Sequence, residues 1–144
     1  PDHLDTRITR ANLEGMRYQA NPTAAGAEAA RQSWQALIDM LGDQPPLRVM
    51  FEIRLANLLL DRREWVDAEA AYRTALKTLA GQDASSSINV AMAELGLGLA
   101  LVANGRGDEG RALVARARAL AEPSLAPNGA LRRELNALDA GQHP

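Results

Sequence analysis

Gly105-Arg106-Gly107-Asp108-Glu109-Gly110 matches G-x-G-x-x-G, the pattern by which a glycine-rich loop cradles a pyrophosphate. That chemistry needs a strand before the loop and a βαβ unit around it. Here the preceding run, Ala91 to Ala103, is long and helical in pattern, and no strand follows. Asp108 and Glu109 would also put two negative charges where the phosphates should sit. The segment reads instead as a helix–helix turn with small residues for packing. Its Arg106-Gly107-Asp108 spells an adhesion tripeptide, which short sequences often do by chance. Glu64, Asp67 and Glu69 cluster at the start of a helix. Paired carboxylates can do acid–base work, but carboxylates in a first turn also complement the helix dipole, the simpler account. Arg132-Arg133, and Arg116 with Arg118, read as solvated faces; Trp34, Trp65, Phe51 and Tyr72 fall on apolar stripes and read as core.

The remaining chemistry is bounded by composition. There is no cysteine, so disulfides, thiol catalysis and Cys-ligated zinc are excluded. His3 and His143 lie at opposite ends of the chain, which disfavours a His–His metal site or a His-centred triad. Nothing supplies a nucleophile with its base, a metal set or a phosphate cradle, so no catalytic residue, cofactor or metal is expected and the chain reads as a non-enzyme. The formal net charge of −2, with both signs interspersed, gives no pull toward nucleic acid or an anionic membrane. The longest apolar stretch is too short to span a bilayer and contains Glu94. The chain opens at Pro1 without Met or signal peptide and reads as a piece of a longer protein.

These residues must be positioned by helices. Hydrophobic content is 47% and mostly Ala and Leu, strong helix formers, while β-branched residues are sparse. Leu4, Ile8 and Ala11 step at helical spacing, joined by Leu13 and Met16. After the turn Asn21-Pro22-Thr23, which offers a cap, comes a stripe of Ala27, Ala30, Trp34, Leu37 and Leu41. Gly42 through Pro46 is a stop signal. A third helix carries Leu47, Phe51, Leu55 and Leu58, and a fourth carries Trp65, Ala68, Tyr72, Ala75 and Leu79 up to Gly81. Ser85-Ser86-Ser87 can cap a fifth helix, which is apolar nearly all round and so buried on several sides. Asp108 is a candidate cap for the sixth, with Leu113, Ala117 and Leu120. The last, roughly 129–140, shows Leu131, Leu135 and Leu138. The expectation is seven helices and no strand.

The helices share a register. Ala68, Tyr72 and Ala75 match Gly110, Val114 and Ala117, each 42 residues on, and Leu55-Ala56 matches Leu97-Gly98. A fixed period of this size indicates stacked supersecondary units. With Leu55-Ala56, Trp65, Ala68, Tyr72 and Ala75 at signature spacing, the chain resembles the tetratricopeptide repeat family, and the long period is similar to its kinesin light chain-like variety. A HEAT-like helix pair is the structural alternative. The resemblance implies one all-α domain over 1–144, a right-handed superhelical stack of three antiparallel helix pairs. The repeats fall at about 2–42, 45–81 and 86–122, with a C-terminal capping helix at about 129–140.

The resemblance also implies a binding scaffold within a larger protein, pictured as a cytoplasmic bacterial signalling protein with any catalytic domain, such as a serine/threonine kinase, outside this chain. First helices of such pairs line a groove, here with Asn12, Tyr18, Arg54, Asn57 and Asp61 as its polar positions. Asn57 would hydrogen-bond an extended backbone, and Arg54 and Asp61 would select charge. The implied partner is a protein or peptide, with no nucleic acid and no membrane. Self-association through the apolar third repeat, at Met92, Leu95 and Leu99, is the alternative.

Overall fold

Helix boundaries fall where the sequence places its breakers. In the computed structural model, which describes residues 3–81 and 87–142, the chain is all-helical. Among the described residues the elements are α1 (Leu4–Ala20), α2 (Ala24–Leu41), α3 (Pro45–Asp61), α4 (Trp65–Ala80), α5 (Ser87–Ala103), α6 (Gly107–Ala121), a 3-10 turn (Glu122–Ser124) and α7 (Ala130–Asp139), with no strand. They gather into two compact units, Pro1–Leu55 and Ala56–Pro144. Ser85 and Ser86, expected to cap α5, lie outside the described residues, as does His143.

In the first unit Thr23 caps α2 as its sequence suggests, its Oγ1 accepting from Gly26 N at 3.0 Å. The whole expected stripe of α2 is buried, from Ala27 to Leu41. The inner face of α1 differs from the expectation: Ala11, Gly15 and Tyr18 are buried, whereas Leu13 is exposed and Met16 is 65% exposed. The reason is geometric, because a stripe through Leu4, Ile8 and Ala11 continues at helical spacing to positions 15 and 18. Gly15 serves there as the seat for an indole: a Cβ on it would stand 2.7 Å from the Trp34 ring. Helix α3 begins at Pro45, inside the expected stop signal, since proline is tolerated in a first turn whose N–H groups have no helical partner. Arg48 Nε donates to the buried Glu52 at 2.7 Å and Arg48 Nη1 to the Gly42 carbonyl at 3.0 Å, tying this start to the end of α2.

In the second unit α5 packs against α4, α6 and α7, and every residue from Leu95 through Val102 is buried. Ala68, Tyr72, Ala75 and Leu79 of α4 are buried as expected. On α6 the buried face is Gly110, Val114, Ala117 and Ala121; Leu113 is half-buried and Leu120 exposed, a rotation from the expected stripe. Its cause is the contact with α5: a Cβ on Gly98 would lie 2.8 Å from the Gly110 carbonyl oxygen, and one on Gly110 2.5 Å from that of Gly98. The backbones touch there, which fixes Gly110, and not Leu113, at the centre of the interface.

The turns recur with the period. Arg63 N bonds Leu60 O and Glu64 N bonds Leu59 O at 2.9 Å; 42 residues later Gly105 N bonds Val102 O and Arg106 N bonds Leu101 O at 2.9 Å. Helix α7 ends the same way, with Gln142 N on Ala137 O at 2.9 Å. This is the Schellman geometry, which needs a left-handed residue after the helix. Gly105 and Gly141 supply it at φ 89° and 71°, whereas Arg63 adopts φ 60° with a side chain. Because the helix start is set by this turn, Asp108 lies in the first turn of α6, and the expected cap position passes to Arg106, which makes no side-chain cap bond. Arg63→Gly is expected to stabilise the fold by about 1 kcal/mol, the order of the left-handed penalty for an L residue. A thermal melt should show a rise of roughly 2–4 °C; a fall would mean that the Arg63 side chain contributes more than its backbone costs.

Candidate functional site

The five polar residues read as a groove are engaged within the chain. In the first unit Asn12 and Arg54, one period apart on α1 and α3, meet: Arg54 Nη1 donates to Asn12 Oδ1. The same guanidinium lies 5.5 Å from the centroid of the Phe51 ring, a cation–π contact. Tyr18 is 6% exposed and belongs to the inner stripe of α1 together with Ala11 and Gly15.

In the second unit the Tyr72 hydroxyl donates to Asn57 Oδ1 at 2.5 Å. Burial pushes the Tyr72 phenol well above its usual range, so it stays protonated and remains the donor. That bond turns the oxygen of the Asn57 amide toward Tyr72 and its two N–H donors away from it. Asp61, at the end of α3, is bonded by Arg133 of α7. Leu95 and Leu99, read as an apolar edge for a second copy, are buried, as is Val102; Met92 is half-buried. The apolar face of α5 is consumed by the helices that pack on it.

Glu69 of α4 is a junction that the sequence reading placed in a dipole-stabilising cluster. Its carboxylate accepts from Asn104 Nδ2 at 2.8 Å and from Arg106, both at the α5–α6 turn, and pairs with Arg73 at 3.2 Å. Asn104 Nδ2 also reaches the Trp65 carbonyl at 3.1 Å. Burial acts to raise the Glu69 pKa, but the hydrogen bonds from Asn104 and Arg73 and the Arg106 charge outweigh it and lower the pKa below the ordinary 4.5. A lowered folded-state pKa gives stability that is full above the unfolded value and lost as pH falls through the folded one. The melting-temperature gap between the wild type and Glu69→Gln should therefore hold steady above about pH 5.5 and close progressively in more acid solution. A gap unchanged at about pH 3 would show that charge at Glu69 is not what joins α4 to the turn.

Of the arginines expected on solvated faces, Arg116 is exposed and pairs with Glu94 of α5 at 3.1 Å, while Arg118, Arg132 and Arg133 tether α7. Arg118 of α6 bonds Asp139 at 2.8 and 2.6 Å and Glu122 at 3.2 Å. Arg132 reaches Glu122 Oε1 at 3.2 Å and the Glu122 carbonyl at 3.0 Å. Hydrogen bonds from Arg118 hold both Asp139 and Glu122 below the usual carboxylate range. Beside α7 opens a recess of about 640 Å³ lined by Arg63, Trp65, Ala103, Arg133, Glu134 and Asn136, among others. The period itself could have indicated the Asn12–Arg54 pair, since the residues occupy one repeat position; no sequence signal marks the α7 tethers.

Among the described residues no group of three or more His, Cys, Asp or Glu side chains is placed to hold a metal ion. No helix of the described residues is long and apolar enough to cross a membrane. Comparison with protein-family models, with curated proteins and with solved structures gives no match.

Proposed function

We propose that the chain is a non-catalytic, tetratricopeptide-like scaffold that receives a segment of a protein or peptide partner. The observation that carries this reading is the recurrence inside the second unit. The hydrogen-bonded turn at Leu59–Glu64 returns at Leu101–Arg106, and the fully buried Ala56 and Ala68 return as the touching pair Gly98 and Gly110. Stacked repeats produce such recurrence because each unit buries its face on the next one and meets it in the same way. It favours the stack of helix pairs closed by α7, in which first helices offer the receiving face.

Asn57 is the residue on that face best prepared for a ligand. It is half-buried on a helix whose neighbouring positions are nearly all buried, and Tyr72 fixes which end of its amide is presented. The two free donors suit the carbonyl groups of an extended chain. Peptides selected on the immobilised chain from a displayed random library, then titrated in solution, provide the test. Asn57→Ala is expected to weaken the best of them by about 1–2 kcal/mol while leaving the melting temperature close to wild type. Ligands that bind both proteins equally would move the site off α3.

A further inference from the structure

We infer that the seat of α7 is an interaction surface for an amphipathic helix, held in cis by the chain's own α7 and able to take in its place a partner helix with the same pattern of side chains. The inference rests on the scaffold reading and names the class of partner. Two joints on α5 differ in kind. At α6 the backbones touch through Gly98 and Gly110, and nothing can slide or withdraw without opening the core. At α7 the fully buried apolar side chains are Leu131 and Leu135, and Glu134 brings a carboxyl group into the same buried face. The recess beside Arg133 and Glu134 keeps this joint from closing against Trp65 and Ala103.

Besides this buried face, in which Glu134 is itself engaged, α7 is held by charge at its margins: Asp139 on Arg118, Arg132 on Glu122, and Arg133 on Asp61. Pairs that stand partly in solvent, as these do, are weakened by salt and yield to competing charges. The connection favours release as a unit. Leu125 is buried and anchors the chain after the 3-10 turn, and residues 126–129 run exposed or half-exposed to the start of α7. The helix can leave while its tether stays fixed.

The seat thereby specifies its occupant. Counting from Leu131, it takes leucine at the first and fifth positions, arginine at the second and third, and a carboxylate at the ninth. A partner helix carrying that order meets Arg118, Glu122 and Asp61 with opposite charges, whereas one with the charges reversed is repelled at all three.

A labelled synthetic peptide of residues 126–142 is titrated into the full chain and into its Asp139→Lys variant. In the variant the chain's own helix faces Arg118 with a like charge, while the seat is unchanged. The peptide is expected to bind the variant at least roughly tenfold tighter than the wild type, and a peptide carrying its own Asp139→Lys to bind neither. Equal binding to both chains, or no binding to a variant with wild-type circular dichroism, overturns the proposal. Hydrogen exchange on the unaltered chain tests it without any substitution. Amides of α7 are expected to exchange at least roughly tenfold faster than those of α5, with the gap widening in about 0.5 M NaCl. Exchange of α7 and α5 at one rate in both salts overturns it equally. Neither measurement involves Asn57, so ligands selected on the chain that ignore Asn57→Ala would remove the scaffold reading from α3 and leave the α7 result standing.

Discussion

Ala68→Arg is expected to destabilise the fold by about 3–5 kcal/mol, enough to leave little native protein, because it combines overpacking with a buried unpaired charge. Ala68 is fully buried on α4 at the repeat position that Gly110 occupies on α6, where the backbones of paired helices touch. A guanidinium there finds neither room nor water. Two residues earlier on the same helix, Val66 is 74% exposed, so Val66→Arg should change stability by no more than about 0.5 kcal/mol. Urea denaturation of the two variants measures the contrast. Similar midpoints would mean that Ala68 is not at the interface and that the register relating it to Gly110 is wrong.

That register was legible because it rests on residue size, which local sequence displays. Ala56, Ala68, Gly98 and Gly110 announce close approach by being small, and Tyr72 and Trp34 announce core by being large on otherwise apolar stripes. The error on α1 has the same root. Gly15 has no hydropathy to advertise, yet it is the inner-face residue that seats Trp34, so Leu13 and Met16 drew the stripe toward themselves. On α6, Gly110 likewise set the rotation that left Leu120 outside. A glycine at a close contact carries the packing information that a search for leucines passes over.

The polar residues were harder to read for a different reason. Asn12, Arg54, Asn57 and Asp61 were identified as positions, but each is bonded to a side chain on another element: Asn12 and Arg54 to one another, Asn57 through its amide oxygen to Tyr72, and Asp61 to Arg133. Periodicity places a residue on a face and says nothing of what a neighbouring element brings to it. The tethers of α7 are the extreme case. Arg118, Arg132 and Arg133 look like ordinary solvated positions on their own helices, and only the fold lays Asp139, Glu122 and Asp61 beside them.

Gly96→Ala is expected to change sign with its background, and the pair it forms with Tyr72 is the sharpest test of the second unit's packing. Tyr72 is fully buried, and a Cβ on Gly96 would lie 2.2 Å from its Cζ, so the ring rests flat on the backbone of α5. Tyr72→Ala should cost about 3–5 kcal/mol through the cavity it leaves. Tyr72→Phe should cost only about 1 kcal/mol, because the half-buried Asn57 can exchange the lost hydroxyl for water. In the wild-type chain Gly96→Ala must push the ring off its seat, at a cost of about 1–3 kcal/mol despite the better helix propensity of alanine. Once Tyr72→Ala has removed the ring, the same substitution enters empty space, fills part of the cavity and gains roughly 1 kcal/mol of propensity. The double variant should therefore be more stable than Tyr72→Ala alone, with a coupling energy of about 2–4 kcal/mol between the two sites. Chemical denaturation of the four proteins closes the cycle. If Gly96→Ala costs the same with and without the ring, Tyr72 does not lie against α5, and the contact between α4 and α5 is made by other residues.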